Sequence, residues 1–433
     1  MEKHTTGSRL FLIFRFYLLV GLYSCNNTEQ KSYNIFQNID IEHNIDNMVV
    51  AKLSQFVVNI EYVPLETKDD FILDANYKCD FSDSLILVYN LNKCGLYNSS
   101  GKFITSIGTK GNGPGEFQFC MEACFSANNS IYLQSNLYDL LEFSLNGTLI
   151  NNYKNIFRID NSEDKFIINW GIISDSLLFG HIPNTTGQIE WKSILINLHG
   201  EIKKSWTNYD RFSRKGIDFA FESKSYNFYS EGSFYFKQFF NDTLFRLNER
   251  YELIPTYVFS LGTLKIPITL RAGRFGGDEL WNFISLYDVS KTEKYLFLDC
   301  GFGNRFPVKR LTPHTVIQQA GETWYNTTNM LGIVDIETGK LVFCKPTSTD
   351  NPLVTTGIYN DIDGGPKFFP DQMINDSTMV MSVDSKELKD HVNSEDFKKS
   401  KSLYPEKKKG LEKLAARLKE TDNPVLMLVR LKK

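Results

Sequence analysis

The sequence predicts an all-β protein, a six-bladed β-propeller with a small helical insertion before its last strand. Two observations carry this prediction: a strand pattern that returns every 46 residues, and an aromatic content of 14%, which is typical of strands. A period of roughly 40–50 residues, with four short strands in each unit, is typical of propeller blades. A β-sandwich would not repeat at this distance, and a β-helix would need a shorter period.

Tight-turn tripeptides that precede apolar runs mark the repeat. Their central residues Asp83, Asn129 and Asp175 are spaced 46 and 46 residues apart. In the first two copies a glycine, Gly101 or Gly147, follows 18 residues after the tripeptide and predicts a hairpin turn. Looser copies follow, and we count six units: five end near positions 107, 153, 207, 261 and 345, and the sixth begins near 360.

Both ends of the chain are predicted to contribute to a propeller over residues 55–432. A charged, partly helical insertion over 385–422 interrupts the sixth unit. The chain resumes as a strand over 424–431, which leaves the last blade one strand short. The run 57–65 belongs to no other unit, and we predict that it completes this blade and covers its edge.

Residues 1–24 are predicted to be a lipoprotein signal peptide, with basic residues before a short apolar run. The run ends in Leu22-Tyr23-Ser24-Cys25, which resembles the bacterial lipobox, in which the cysteine is acylated. An ordinary secretory peptide with a chance cysteine is the alternative. We therefore predict a lipid at Cys25, a polar tether over 25–54 and attachment to the outer membrane, facing either the periplasm or the surface.

Four segments resemble the NHL-like six-bladed β-propeller lipoproteins of Bacteroidota. They are GTKGNGPGEF at 108–117, NDTLFRL at 241–247, NDIDGGP at 360–366 with FFP just after it, and DNPVL at 422–426. The resemblance covers roughly residues 55–432 and implies a propeller located in the cell envelope. It implies no settled activity, because one fold supports many functions.

Four acidic residues are the candidate ligand-binding residues. Asp361 and Asp363 are two positions apart and Asp371 follows, so their carboxylates could converge on a calcium ion or on sugar hydroxyls. The alternative is an Asx-rich turn, in which the side chains cap backbone N–H groups. Glu116 could face the mouth of the channel, although its glycine-rich stretch is neither GxGxxG nor a P-loop and is also explained as a turn between blades.

The sequence contains no recognisable catalytic signature. Its six histidines form no HxxH, HExxH or HxH pair, no GxSxG motif occurs, and the net charge of −3 gives no attraction to nucleic acid. We therefore expect a binding or scaffold module without a cofactor, calcium excepted, whose channel face holds a glycan, a peptide or an envelope protein. The alternative is a hydrolase or lyase acting on glycan or peptide, because blades bring distant carboxylates together.

Overall fold

The computed structural model confirms the six-bladed propeller. It describes residues 36–74, 77–160, 162–163, 165–213, 225–271, 282–303, 318–319, 322–323, 329–345 and 356–432. Within them, six sheets, each built on four antiparallel strands, follow one another around a central channel. The predicted signal peptide and Cys25 lie outside the described residues.

Blades 1, 2 and 3 are each a meander of four consecutive strands. Blade 1 consists of Lys78–Phe81, Leu85–Tyr89, Cys94–Asn98 and Phe103–Ser106. Blade 2 consists of Ala123–Phe125, Ser130–Gln134, Leu140–Ser144 and Leu149–Tyr153. Blade 3 consists of Ile168–Ser174, Leu177–His181, Trp191–Asn197 and Ile202–Thr207. The tripeptides around Asp83, Asn129 and Asp175 join the first strand of each blade to its second, which explains the constant spacing.

Blades 4 and 5 carry a fifth strand, which is parallel to its neighbour and comes from the N-terminal segment. Blade 4 consists of Ser225–Ser230, Ser233–Gln238, Thr243–Leu247 and Leu253–Ser260, with Gln37–Asp40 at its outer edge. Blade 5 consists of Ser285–Lys291, Tyr295–Gly301, Asn329–Asp335 and Leu341–Cys344, with Met48–Val49 at its outer edge.

The structure differs here from the tether predicted over 25–54. From residue 36 onward this segment runs along the outer edges of blades 4 and 5 instead of standing free. The physical reason is apolar burial, since Ile39, Ile41 and Leu53 are fully buried among the polar residues that suggested a tether. A covered edge also has fewer unpaired backbone groups.

Blade 6 joins the two ends of the chain, as predicted. Its strands are Gln372–Asn375, Thr378–Val383, Val425–Leu431 and, at the outer edge, the N-terminal strand Val57–Pro64. The last two strands are antiparallel, with Ile60 opposite Val429. Asn423 then links this blade to the segment that leads into blade 1, because its Nδ2 donates to the carbonyls of Glu66 and Phe71, each over 3.1 Å.

The insertion in the last blade forms three helices, Ser385–Asn393, Glu395–Lys399 and Pro405–Arg417. Their buried residues Leu388, Phe397 and Leu411 pack into a core shared with blades 5 and 6. The remaining short elements are the α-helices Leu53–Phe56 and Ile268–Arg271, the 3-10 helices Glu42–Asn44 and Gly262–Leu264, and the two-stranded pairs Thr109–Lys110 with Glu116–Phe117 and Gln318–Gln319 with Glu322–Thr323. Among the described residues, no helix has the length and apolar character needed to cross a membrane.

The channel has two different ends. The first strand of every blade lines it, so the connections from one blade to the next enter at one end, which we call the mouth. The hairpins between first and second strands lie at the opposite end. There the backbone N–H of Glu231 in blade 4 donates to Asp376 Oδ1 in blade 6 over 2.6 Å, and Lys291 Nζ pairs with Glu231 Oε2 at 2.5 Å. These contacts hold the hairpins together across the channel.

Candidate functional site

The channel is the candidate site, with a cavity of about 1060 Å³ lined by the first strands of all six blades. Its described lining contains six carboxylates and one lysine: Asp80, Glu122, Asp288, Asp371, Asp384, Glu387 and Lys78. Aromatic side chains from blades 1 to 4 complete the wall, among them Phe125, Tyr226 and Phe228. The cavity therefore combines negative charge with apolar surface.

Three aspartates stand on the neighbouring blades 1, 5 and 6. Each accepts a hydrogen bond from a backbone N–H: Asp80 Oδ2 from Phe125 over 2.7 Å, Asp288 Oδ1 from Val289 over 2.7 Å, and Asp371 Oδ2 from Ser382 over 2.6 Å. These bonds fix the carboxylates against the wall. Within the described part of the chain, none of the three forms an ion pair with a lysine, arginine or histidine.

Burial raises the pKa of each of these three carboxyl groups to about 6, since desolvation penalises the charged form more than the backbone hydrogen bonds favour it. The charge of Glu122 raises the pKa of Asp80 further. For Asp288, Lys237 lowers the pKa and Asp371 raises it. Asp371 has protein on most sides, yet its surface is accessible because it faces the channel.

Glu122 is a paired acid by contrast. Its Oε2 lies 2.8 Å from Lys78 Nζ, and its Oε1 accepts a hydrogen bond from the Tyr89 hydroxyl over 2.5 Å. Lys78 is the one lysine among the described residues of the lining, and it is thus already paired with an acid of the neighbouring blade.

A second lysine is buried behind the wall, between blades 4 and 5. Lys237 is 1% exposed, and its Nζ donates to the carbonyls of Gln238 over 3.1 Å and Phe239 over 3.4 Å. Burial lowers the pKa of Lys237 to about 8, and the charges of Asp242 and Asp288 partly oppose this. Its charge compensates part of the acidity of the wall from behind.

The structure separates the acids that were predicted to act together. Asp371 lies in the channel, whereas Asp361 holds the N-terminal segment: its Oδ1 accepts from Ser54 N over 2.9 Å and its Oδ2 from Ser54 Oγ over 2.6 Å. Both oxygens of Asp361 are therefore used in a contact between the two ends of the chain.

Asp363 is enclosed within its own loop and is 1% exposed. Its Oδ1 accepts from Asn360 Nδ2 over 2.7 Å, from Gly365 N over 2.8 Å and from the Tyr62 hydroxyl over 3.3 Å. Desolvation raises the pKa of Asp363, and these hydrogen bonds oppose the shift. Such bonds are those expected of the Asx-rich turn that the sequence offered as the alternative.

Among the described residues, no three His, Cys, Asp or Glu side chains are arranged to hold a metal ion. Calcium binding stays a prediction. Glu116 lies in the glycine-rich turn between blades 1 and 2, where its Oε2 accepts from Gly113 N over 2.7 Å. Its carboxylate packs directly over Gly111, so that a Cβ there would collide with it. Its proposed ligand role also stays a prediction.

Sequence reasoning missed Asp80 and Asp288. Each lies within the first strand of its blade, Asp80 in the stretch Lys78-Cys79-Asp80-Phe81. An acidic residue inside the strand that precedes the turn tripeptide could have indicated these two residues, because this first strand of each blade lines the channel.

Comparison with solved structures supports the fold. A protein from Bacteroides fragilis described as an exported protein is similar with a TM-score of 0.65 and 18% identity, over 92% of this chain and 100% of that chain. Weaker similarities include a protein of unknown function from Bacteroides thetaiotaomicron, with a TM-score of 0.40 and 10% identity over 86% and 76% of the two chains. A catalytically inactive virginiamycin B lyase from Staphylococcus aureus, solved with quinupristin, has a TM-score of 0.37 and 12% identity over 86% and 99%.

The similarity to the Bacteroides fragilis protein indicates a common fold and nothing about activity. No curated protein matches the sequence. The predicted membership of the NHL-like group stays a prediction. A family model does match residues 36–430, which span the whole propeller, and the chain therefore belongs to the family described as Domain of unknown function (DUF4934).

Proposed function

We propose that this protein is an envelope-anchored binding module that holds a ligand or a partner segment in the mouth of the propeller channel. The observation that carries the proposal is the cavity of about 1060 Å³, to which all six blades contribute. Pockets of this size, with mostly apolar walls and a few fixed polar groups, are typical ligand sites. Here the fixed polar groups are carboxylates held by backbone N–H groups.

The anchor is proposed from the sequence around Cys25. Lipid on this cysteine would hold the propeller at a membrane through residues 26–35, a span of at most about 40 Å when fully extended. The similar Bacteroides fragilis protein is described as exported, which agrees with this location. Labelling cells with a radioactive fatty acid tests the anchor: the protein is expected to incorporate label, and a Cys25→Ser variant is expected to incorporate none.

A thermal-shift screen of the soluble propeller tests the binding function. The panel contains glycans, peptides and amines, and a ligand present at a hundred times its Kd adds about 2.7 kcal/mol to stability. We expect at least one ligand to raise the melting temperature of the wild type. The same ligand should not raise the melting temperature of the triple variant Asp80→Asn, Asp288→Asn, Asp371→Asn.

Two results would contradict this proposal. One is a shift that the triple channel variant retains in full, which would place the ligand elsewhere. The other is the absence of any shift across the panel, together with stable co-purification of an envelope protein that binds the triple variant equally well. That second result would favour a scaffold that uses its outer surface.

A hydrolase or lyase that acts on glycan or peptide is the second candidate, and the raised pKa values of the channel aspartates favour it. Carboxyl groups with a pKa of about 6 can exchange protons near neutral pH, as general acids and bases must. Turnover of a bound ligand would decide for the enzyme. An Asp371→Asn variant that still binds the ligand but leaves it intact would identify Asp371 as the catalytic group.

A further inference from the structure

We infer that the ligand of the channel is an organic cation, whose ammonium groups meet the carboxylates of Asp80, Asp288 and Asp371. The inference rests on the proposed binding function and names the chemical class of the ligand. Four features of the described residues carry it: the charge of the lining, the arrangement around the ring, two unpartnered polar groups and the size of the cavity.

The charge of the lining favours a cation. Among the described residues of the lining, six carboxylates face one lysine, Lys78, which is already paired with Glu122 at 2.8 Å. Asp80, Asp288 and Asp371 have no such partner among the described residues. A cleft lined by one sign of charge concentrates ligands of the opposite sign, and a charge-assisted hydrogen bond is about twice as strong as a neutral one.

The arrangement around the ring favours an organic cation. The three aspartates stand on blades 5, 6 and 1, and in a ring of six blades these face blades 2, 3 and 4. Blade 2 presents Phe125 and blade 4 presents Tyr226 and Phe228 to the cavity. Aromatic faces bind ammonium groups and apolar carbon chains. A bare metal ion would need three or more donors at one point, an arrangement that the described residues lack.

Two polar groups beside the channel have no hydrogen-bond partner. The hydroxyl of Ser225 is unpartnered although Ser225 is 5% exposed and lines the cavity. The amide Nε2 of Gln238, opposite Ser225 in the strand register and 2% exposed, is unpartnered as well. Leaving a buried polar group unpaired costs about 1–3 kcal/mol. A ligand with hydroxyl or carbonyl groups on the side of blade 4 would complete the hydrogen bonds of Ser225.

The size of the cavity completes the description. About 1060 Å³ exceeds what a single amine or amino acid fills, and it accommodates a short oligomer with several ammonium groups. A glucosamine trisaccharide combines three ammonium groups with hydroxyls, and spermidine combines three amines with an apolar chain. Both probes exist in N-acetylated forms of the same skeleton without the charge.

Calorimetric titration of the propeller with these four probes tests the inference. We expect the glucosamine trisaccharide or spermidine to bind at least about tenfold more tightly than its fully N-acetylated form, a difference of about 1.4 kcal/mol. Raising the salt concentration from about 50 to about 500 mM should weaken the binding of the charged probe and leave the binding of the neutral probe unchanged.

Variants locate the effect. The triple variant Asp80→Asn, Asp288→Asn, Asp371→Asn is expected to lose the preference for the charged probe. The triple surface variant Asp69→Asn, Asp70→Asn, Asp83→Asn changes the net charge equally at exposed positions and should behave as the wild type. The single Asp371→Asn variant, at an accessible position, repeats the test if the triple channel variant does not fold.

The outcomes separate this inference from the proposed function. If an N-acetylated probe binds as tightly as its charged form or more tightly, the inference that the ligand is a cation is wrong, and the channel can still be a binding site. Failure of both charged probes also overturns it, and the wider thermal-shift screen then decides about the channel independently. If a charged probe binds the triple channel variant as tightly as it binds the wild type, the cation binds to another surface, and the inference is wrong as well.

Discussion

Two groups of aspartates in this propeller differ in how many hydrogen bonds they accept from the protein. Asp361 and Asp363, in the loop that enters blade 6, accept two and three hydrogen bonds, respectively, from side chains and backbone of the protein. Asp80, Asp288 and Asp371, in the channel, each accept a hydrogen bond from a backbone N–H and have no cationic side chain in ion-pair contact among the described residues.

The number of hydrogen bonds from the protein, and not acidity or spacing, distinguishes a structural carboxylate from one that is available to a ligand. The loop aspartates lie between the N-terminal segment and the last blade, where side-chain and backbone donors of the protein surround them. The channel aspartates face a cavity, and burial raises the pKa of each to about 6; for Asp288 the nearby Lys237 opposes this shift without reversing it.

The largest expected difference between the groups is in stability. Asp363→Ala leaves the buried donors of Asn360 and Gly365 unpaired and should lower the free energy of unfolding by about 3 kcal/mol. Asp371→Ala should change it by less than about 1 kcal/mol, because water in the channel can replace the carboxylate as the acceptor for Ser382 N. Urea denaturation of both variants measures this, and equal losses would remove the distinction.

The second expected difference is in the pH dependence of stability. The channel aspartates have a pKa of about 6 in the folded protein against 3.8 as the ordinary value. The folded state therefore binds more protons than the unfolded state between these pH values. The stability that the three groups contribute is fully present below about pH 4 and is lost as the pH rises through about 6. Replacing all three by asparagine should remove this loss.

We expect the triple asparagine variant to gain roughly 1–2 kcal/mol over the wild type between pH 4 and pH 7, after a discount for solvent in the channel. Glu122 beside Asp80, and Lys237 beside Asp288, stay in place in both proteins, but each loses its interaction with the replaced aspartate, and this loss is part of the measured difference. Chemical denaturation across this range measures the difference. A constant difference from pH 4 to pH 7 would show that these carboxyl groups titrate normally.

The smallest expected effect is the coupling between Ser54 and Asp361. A double-mutant cycle with Ser54→Ala and Asp361→Asn should give an interaction energy of about 1 kcal/mol, because two hydrogen bonds join these residues. The control cycle pairs Ser54→Ala with Asp371→Asn, and these two changes should be additive. Additivity in the first cycle as well would mean that Asp361 does not hold the N-terminal segment.

The fold could be predicted from the sequence because the repeat is local. The turn tripeptides at Asp83, Asn129 and Asp175 recur at a fixed distance, and each blade forms from consecutive strands. The closing strand Val57–Pro64 was predictable because an alternating run without its own unit must find an edge elsewhere. The strands at Gln37–Asp40 and Met48–Val49 were missed because they are short and lie in a polar context.

The channel site could be predicted only in part, because its residues are distant in sequence. Asp80 and Asp288 are brought together by the ring, and no spacing rule connects them. Asp361 and Asp363 have the spacing of oxygen ligands, but the same spacing suits a turn that caps its own backbone. Only the positions of the donors around each carboxylate distinguish these cases, and they depend on the folded structure.

Carboxyl footprinting of the native protein tests the central distinction most directly. The protein is treated with a water-soluble carbodiimide and glycine ethyl ester near pH 6, and labelling of each aspartate is quantified by mass spectrometry relative to the unfolded chain. We expect Asp80, Asp288 and Asp371 to react at least about tenfold faster than Asp361 and Asp363, whose surroundings must first open locally. Labelling of the loop aspartates as fast as the channel aspartates would contradict it.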